Sequence, residues 1–304
     1  MLLPFLVLPV MVLQRPGWQR LLLWCVPVIW WVLAIGSGTR GTWVSLFIAA
    51  VVVLWFTGAA GKAWLRSQII ALIIALFCYA LFIFAIPALF DVQTLLLHRG
   101  EDFESLSNRG ALWRLAIGYM VDHPFLGIGP MHFAYWTREI AASPHNAVLL
   151  WLAEWGVPAA ALMVFLWAWG GLAYAAFVKR QATAGLTDFT ALFRTALLAA
   201  LTGASAQSMV DGVFIALVSQ TLFVLLAGWV LGSVQGVGVA RNFTLTFASR
   251  AGFLFVLLAS VFGVAQGVSN DIGRLAERQK AFLAIHGQEQ PLFPRFWAHG
   301  LIPE

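Results

Sequence analysis

Three side chains in the 304-residue sequence combine chemical competence with settings that lipid contact alone does not require. His145 lies in Ser143-Pro144-His145-Asn146, where a polar stretch gives way to an apolar run. An imidazole has an ordinary pKa of about 6.5 and can take a proton from a hydroxyl at neutral pH. Arg109 follows Ser107-Asn108, either of which is a natural cap for a helix that runs to Pro124. A helix beginning there sets a guanidinium beside free backbone N–H groups, a combination that gathers phosphate. The helix dipole by itself does not favour an arginine at that end. Arg40 sits in Gly36-Ser37-Gly38-Thr39-Arg40-Gly41, whose glycines serve equally for a tight turn or for close approach of backbone to a ligand. It reads either as a snorkelling anchor or as the partner of an anionic substrate. The chemistry on offer is proton abstraction beside phosphate recognition.

Other polar residues are weaker in the same roles. Arg114 lies five positions beyond Arg109, about 140° around a helix, so the two do not share a face. One of them reaches a site while the other meets lipid headgroups. Asn146 adjoins the histidine, Glu154 follows one helical stretch later and falls near the membrane interface, and Asp211 tips Ser208-Met209-Val210-Asp211-Gly212. His98, His123 and His132 show no metal-ligand spacing. Glu101-Asp102-Phe103-Glu104 reads as a solvated loop edge, and Cys25 and Cys78 as packing residues inside apolar runs.

The elements that position these residues are membrane spans. The chain is 61% hydrophobic and 10% charged, with 15 Trp and 24 Phe and a mean hydropathy of +0.86. Soluble domains carry about 25% charged residues. The apolar runs are continuous rather than alternating, which excludes a β-barrel and predicts an all-α, polytopic membrane helical bundle of about eight transmembrane helices. The net charge of +5 is scattered over loop ends, so it points to membrane orientation and not to nucleic acid.

In order, residues 1–13 are too short for a span and read as the remnant of a helix, as though an N-terminal portion preceded them. Spans follow at 21–35, 42–58 and 69–90, with Lys62 and Arg66 on a short loop. Residues 91–146 form one large loop containing short helices. The run 147–178 is too long for one span, and Gly156 and Pro158 divide it into a surface helix over 146–155 and a span over 157–178. Residues 190–233 make a hairpin broken at 208–212, residues 251–268 a last span, and residues 269–304 an amphipathic tail. Arg15/Arg20, Lys62/Arg66, Lys179/Arg180 and Arg241/Arg250 occupy alternate connections. The positive-inside rule makes their side cytoplasmic and puts Arg40, the large loop, Asp211 and the tail on the periplasmic side.

Taken together, Thr39-Arg40-Gly41, Arg109 with Trp113, Asp122-His123-Pro124-Phe125-Leu126-Gly127-Ile128-Gly129, His145-Asn146 with the later Gly156, and Met209-Val210-Asp211-Gly212 resemble the O-antigen ligase and polymerase superfamily. The resemblance covers about residues 36–232 and makes 1–268 an O-antigen ligase-like membrane domain. Two departures stand out: Ala159 replaces a glycine often found in the family, and about eight spans stand where the family has ten or more. The resemblance implies a glycosyltransferase of the bacterial inner membrane whose active face is periplasmic. Its donor would be a glycan on undecaprenyl pyrophosphate. Its acceptor would be lipid A-core, a protein or a growing glycan, for an O-antigen ligase, protein O-oligosaccharyltransferase or O-antigen polymerase respectively, with the ligase ranked first. It makes His145 the catalytic base and Arg40 and Arg109 the ligands of the donor pyrophosphate; Asn146, Arg114, Asp211 and Glu154 are candidates for supporting roles by residue type and place. Arginines can stabilise a departing diphosphate without a metal, and the reaction needs no cofactor. A rival of another class is a transporter or flippase component for lipid-linked sugars. It should show paired helix breaks or charges near mid-span, and the sequence has neither.

Overall fold

The structure, a computed structural model, describes residues 1–13, 16–90, 105–136, 143–182, 189–214 and 217–235, with Leu254, Phe255, Leu258 and Phe262 as isolated helical positions. Arg15, His98, the acidic stretch 101–104, Arg241, Arg250, most of 251–268 and the tail 269–304 lie outside the described residues. The chain divides into two compact units, residues 1–234 and 235–304, and the site is built within the first.

The described residues are all-helical: α1 (Leu3–Leu6), α2 (Leu8–Val12), α3 (Gly17–Gly36), α4 (Arg40–Phe56), α5 (Gly58–Ala80), a π-helical turn (Leu81–Ala85), α6 (Ile86–Leu89), α7 (Ser105–Asp122), α8 (His132–Trp136), α9 (Ala147–Ala182), α10 (Phe189–Ser208) and α11 (Leu217–Gln235). Four segments are long and apolar enough to cross a membrane: Gly17–Gly36, Gly58–Leu89, Ala147–Ala182 and Phe189–Ser208. Shorter apolar helices cover Leu3–Val12, Arg40–Phe56 and Val218–Val234. The protein is therefore a helical membrane protein, with four such helices among the described residues where the sequence suggests about eight spans in the whole chain. The rims of these helices expose large apolar side chains such as Phe47, Trp55, Phe77 and Trp169, as lipid-facing surfaces do.

Two expectations are corrected. Lys62 and Arg66 do not lie in a loop: α4 ends at Thr57, whose hydroxyl donates to the Val53 carbonyl at 2.7 Å, and Gly58 at φ 56° turns the chain straight into α5. Both cations belong to the first turns of that helix, from which long side chains reach water. Residues 1–13 form α1 and α2, which tuck into the bundle. Trp64 Nε1 donates to Pro4 O (2.9 Å) and Gln68 Nε2 to Leu3 O (3.2 Å), while Trp31 Nε1 donates to Gln68 Oε1 (3.1 Å). Those bonds satisfy polar groups buried among Leu3, Val7 and Leu8. Cys25 is exposed rather than packed.

The main seam joins α4 to α10. Gly41, Ser45, Ala49 and Val53 recur every four residues along α4, and Ala196, Ala199, Gly203 and Gln207 face them on α10. Ala49, Val53, Ala196 and Ala199 are at most 2% exposed. Small side chains allow the two backbones to approach closely, which gives dispersion and hydrogen bonding their effect in lipid, where the hydrophobic drive between helices is absent.

The expected break in α9 falls at Gly156, with φ 75° and ψ 173°. Beyond it Pro158 has no N–H to offer the Glu154 carbonyl. The freed groups find partners in the 123–129 loop. Ile128 N–H donates to Ala153 O (2.8 Å), Gly129 N–H to Glu154 O (3.0 Å), and Val157 N–H to Pro124 O (2.7 Å). A Cβ at Gly127 would strike the Glu154 carbonyl, and one at Gly156 the carbonyl of Phe125. The Asp122–Gly129 motif is thus a backbone splint for a kinked helix.

Gly156→Ala is expected to destabilise the protein by about 1–3 kcal/mol, because it combines a left-handed backbone with a clash against backbone. Gly171→Ala, which meets nothing within 4 Å, serves as the control. Thermal unfolding in detergent checks the pair, and equal midpoints would refute the splint.

Candidate functional site at the Arg40 end of the bundle

The α4–α10 seam ends where the candidate residues gather. A Cβ on Gly41 would come within 2.7 Å of Val210 Cγ2, so the start of α4, with exposed Arg40, lies against the turn after α10. Ser45 Oγ lies 2.7 Å from Gly41 O and 2.9 Å from Gln207 Oε1. Gln207 Nε2 donates to Asp211 Oδ2 at 2.9 Å, and Gly212 N–H donates to Asp211 Oδ1 at 2.7 Å. Asp211 Oδ1 then stands 3.9 Å from His145 Nδ1.

His145 is held from its own side as well. Its φ is 53°, a left-handed conformation that is strained for a residue with a Cβ. Pro144 before it is buried, and its carbonyl accepts a 2.9 Å hydrogen bond from Trp113 Nε1 of α7. The His145 N–H donates to Ser143 Oγ at 3.2 Å. Asn146 follows as the N-cap of α9: its Oδ1 accepts from Leu149 N–H (3.0 Å) while its Nδ2 donates to Met209 O (3.0 Å). One side chain thereby caps the helix that starts beside the histidine and ties it to the turn carrying Asp211. Phe214 reinforces the link, with its ring 5.3 Å from that of Trp167 and 5.9 Å from that of Trp151 on α9.

His145 Nδ1 is buried and has no hydrogen-bond partner. At 3.9 Å the contact with Asp211 is an ion-pair approach, longer than a hydrogen bond. The imidazole is nonetheless the largest influence on Asp211. Outweighing the effect of burial, and with help from Gln207 and the Gly212 N–H, it holds the carboxyl down at about 2. Asp211 is therefore a carboxylate at any physiological pH, and it suits a neighbouring imidazole that becomes positively charged.

Arg109 lies one helical turn before Trp113, on the same side of α7. The helix begins at Ser105 and not at Arg109, so the arginine occupies the second turn and its own N–H is not among the free ones. The expected combination of guanidinium and helix N-terminus is corrected accordingly. What places Arg109 is packing: Leu112 and Ala116 pack with Phe133, Leu150 and Ala153 and fix α7 on the first half of α9. Arg114 is exposed.

Glu154, expected near the interface, is 2% exposed and accepts from Phe133 N–H at 3.3 Å. It belongs to the joint between α8 and α9. His132 Nδ1 lies 3.1 Å from Pro130 O, and His123 is exposed. Among the described residues no cluster of three or more His, Cys, Asp or Glu side chains could hold a metal ion.

Residues 25–164 match the O-antigen ligase family. That stretch, a little under half of the chain, is similar to O-antigen ligases. The match supports kinship with the O-antigen ligase and polymerase superfamily of membrane glycosyltransferases. The matched stretch holds Arg40, Arg109, Arg114, His145, Asn146 and Glu154, whereas Asp211 lies beyond it. No curated protein matches the chain.

Ser45 and Gln207 escape a reading of the sequence, although both connect to Asp211. The only available signal is spacing, since Ser45 lies four residues after Gly41 and Gln207 four before Asp211.

The low value at Asp211 carries a sign. Between its ordinary 3.8 and about 2, the folded chain binds fewer protons than the unfolded chain. The stabilisation is complete above about pH 4 and is lost as pH falls through about 2. Asp211→Asn should lower the thermal midpoint at pH 7 and flatten its dependence on pH below 4. An unaltered acid limb would show that Asp211 does not govern it.

Proposed function

We propose that this protein transfers a glycan from undecaprenyl pyrophosphate to an acceptor hydroxyl on the periplasmic face of the bacterial inner membrane, as an O-antigen ligase of lipopolysaccharide assembly. The observation that carries the reading is the approach of Asp211 to His145 at 3.9 Å, in a turn packed against the helix that begins at Arg40.

In this reading the acceptor oxygen attacks the anomeric carbon as the bond from that carbon to the diphosphate oxygen breaks. The proton of the hydroxyl passes to His145. Because Nδ1 faces Asp211, Nε2 is the nitrogen left for the acceptor, and the Asp211 carboxylate stabilises the imidazolium that forms. The distance of 3.9 Å is longer than a working hydrogen bond, a looseness that commonly tightens when substrate binds. The electron pair of the broken bond goes to the lipid diphosphate, where Arg40 and Arg109 offer forked donors matched to phosphate oxygens. Displacement in a single step inverts the anomeric centre and calls for no metal. Asn146 keeps the base beside Asp211, and Arg114 meets headgroups.

Basic residues at the far ends of the helices, Lys62, Arg66, Lys179 and Arg180, support the orientation, since that end is the cytoplasmic one by the positive-inside rule. Nucleotide-activated sugars are cytoplasmic, which leaves a lipid-linked donor for chemistry at the Arg40 end. Lipid A-core is the acceptor of the ligase reading. A protein or a growing glycan would make the same site an oligosaccharyltransferase or a polymerase.

Transfer from purified undecaprenyl-pyrophosphate glycan to lipid A-core, assayed with the whole chain in detergent, tests the proposal. His145→Ala should lose about 10²–10⁴-fold in rate. Arg40→Ala and Arg109→Ala should each lose about 10²–10³-fold, with lysine restoring only part. Full activity in His145→Ala would overturn the assignment of the base, and donor binding indifferent to loss of both arginines would overturn the phosphate cradle.

A further inference from the structure

At the opposite end of the bundle, where α4 and α9 finish and α5 and α10 begin, lies a polar feature that glycosyl transfer does not use. Arg194, early in α10, is 9% exposed, and its Nε is buried without a hydrogen-bond partner. Its Nη2 donates to Ser233 O at 3.4 Å, and the guanidinium stands 5.2 Å from the centre of the Phe177 ring. Among the described residues no carboxylate pairs with it. A guanidinium cannot shed its proton, and burying one without a counter-charge is strongly unfavourable.

Beside Arg194 is a cavity of about 50 Å³, lined by Thr57, Gln181, Thr190 and Thr195 among others. One water needs only about 10–15 Å³ by such a measure, so the space holds a few waters or one small oxyanion. The hydroxyls of Thr57 and Thr195 are committed to the carbonyls of Val53 and Ala191, at 2.7 and 2.8 Å. Arg194, Gln181 and Thr190 remain as side-chain donors on the lining. The last turn of α9 adds Lys179 and Arg180. A buried, under-partnered cation, neutral donors and a basic approach form a receptor for an anion, and basic pockets between helices at a membrane surface are where lipid headgroups bind.

We propose that this pocket binds one phosphate group, carried on an anionic lipid headgroup or as free phosphate, with Arg194 as its principal ligand. The site is separate from the one around His145 and stands or falls without it.

The test uses the whole chain in a neutral maltoside detergent. Thermal midpoints are followed against inorganic phosphate in one arm and against phosphatidylglycerol in another, with phosphatidylcholine and sodium chloride as controls. Native mass spectra read lipid retained on the protein. A saturable rise with phosphatidylglycerol alone assigns the pocket to the headgroup, and one with inorganic phosphate assigns it to the free anion. In either case Arg194→Gln should weaken binding about ten- to hundredfold, the loss expected for a charge-assisted hydrogen bond. Should that variant fail to fold, Gln181→Leu, at the half-exposed rim, should weaken binding severalfold while leaving the fold intact. Absence of a saturable response in the wild type would overturn the proposal. So would an equal response to chloride, or an equal loss in Arg20→Gln, which alters an exposed cation on α3 outside the pocket.

Discussion

The contact of α4 with α10 is the constraint from which the rest of the site takes its position. Its four-residue stripe of small side chains brings two backbones close along the length of the bundle. Without that approach Gly41 would not reach Val210, and the chain of contacts from Ser45 through Gln207 to Asp211 could not close. In lipid, where apolar surface gains little by leaving its surroundings, such a seam depends on fit and on the few hydrogen bonds placed in it. The polar contacts at its end are therefore part of the packing as well as part of the proposed chemistry.

The kinked α9 supplies the second fixed reference. Its first half carries Asn146 at its cap and the face on which α7 lies; its second half runs on as a span. The break leaves backbone groups at 153, 154 and 157 unpaired within the helix, and the loop after α7 pairs with all of them. One local defect thus orients both the arginine-bearing helix and the histidine turn. The glycines of the Asp122–Gly129 stretch serve this joint, and none of its side chains touches His145 through a described contact.

Much of this could be read directly from residue types. Continuous apolar runs gave the helices, Gly156 with Pro158 gave the break in α9, and Ser208–Gly212 gave the division of α10 from α11. Other features could not be read, for definite physical reasons. Ser105, Ser107 and Asn108 are all competent caps, so sequence alone did not settle that α7 starts at Ser105, one turn before Arg109. Charged residues usually mark loops, but Lys62 and Arg66 are long enough to leave the lipid from within a helix. Glu154 looked like an interfacial carboxylate because burial of a glutamate depends on a tertiary partner, here the Phe133 N–H. Ser45 and Gln207 are polar residues in apolar helices, and their meaning emerges only when two segments distant in sequence are brought side by side.

The left-handed backbone at His145 has a consequence for how such a protein could change over time. The turn would be most at ease with glycine, which adopts that conformation without strain, and the imidazole is kept there at a cost in folding free energy of about 1–3 kcal/mol. Selection for stability alone would therefore erode the residue on which proton transfer is proposed to depend. The surrounding cap, indole bond and buried proline hold the strained turn in place, so the cost of the histidine is borne by its neighbours.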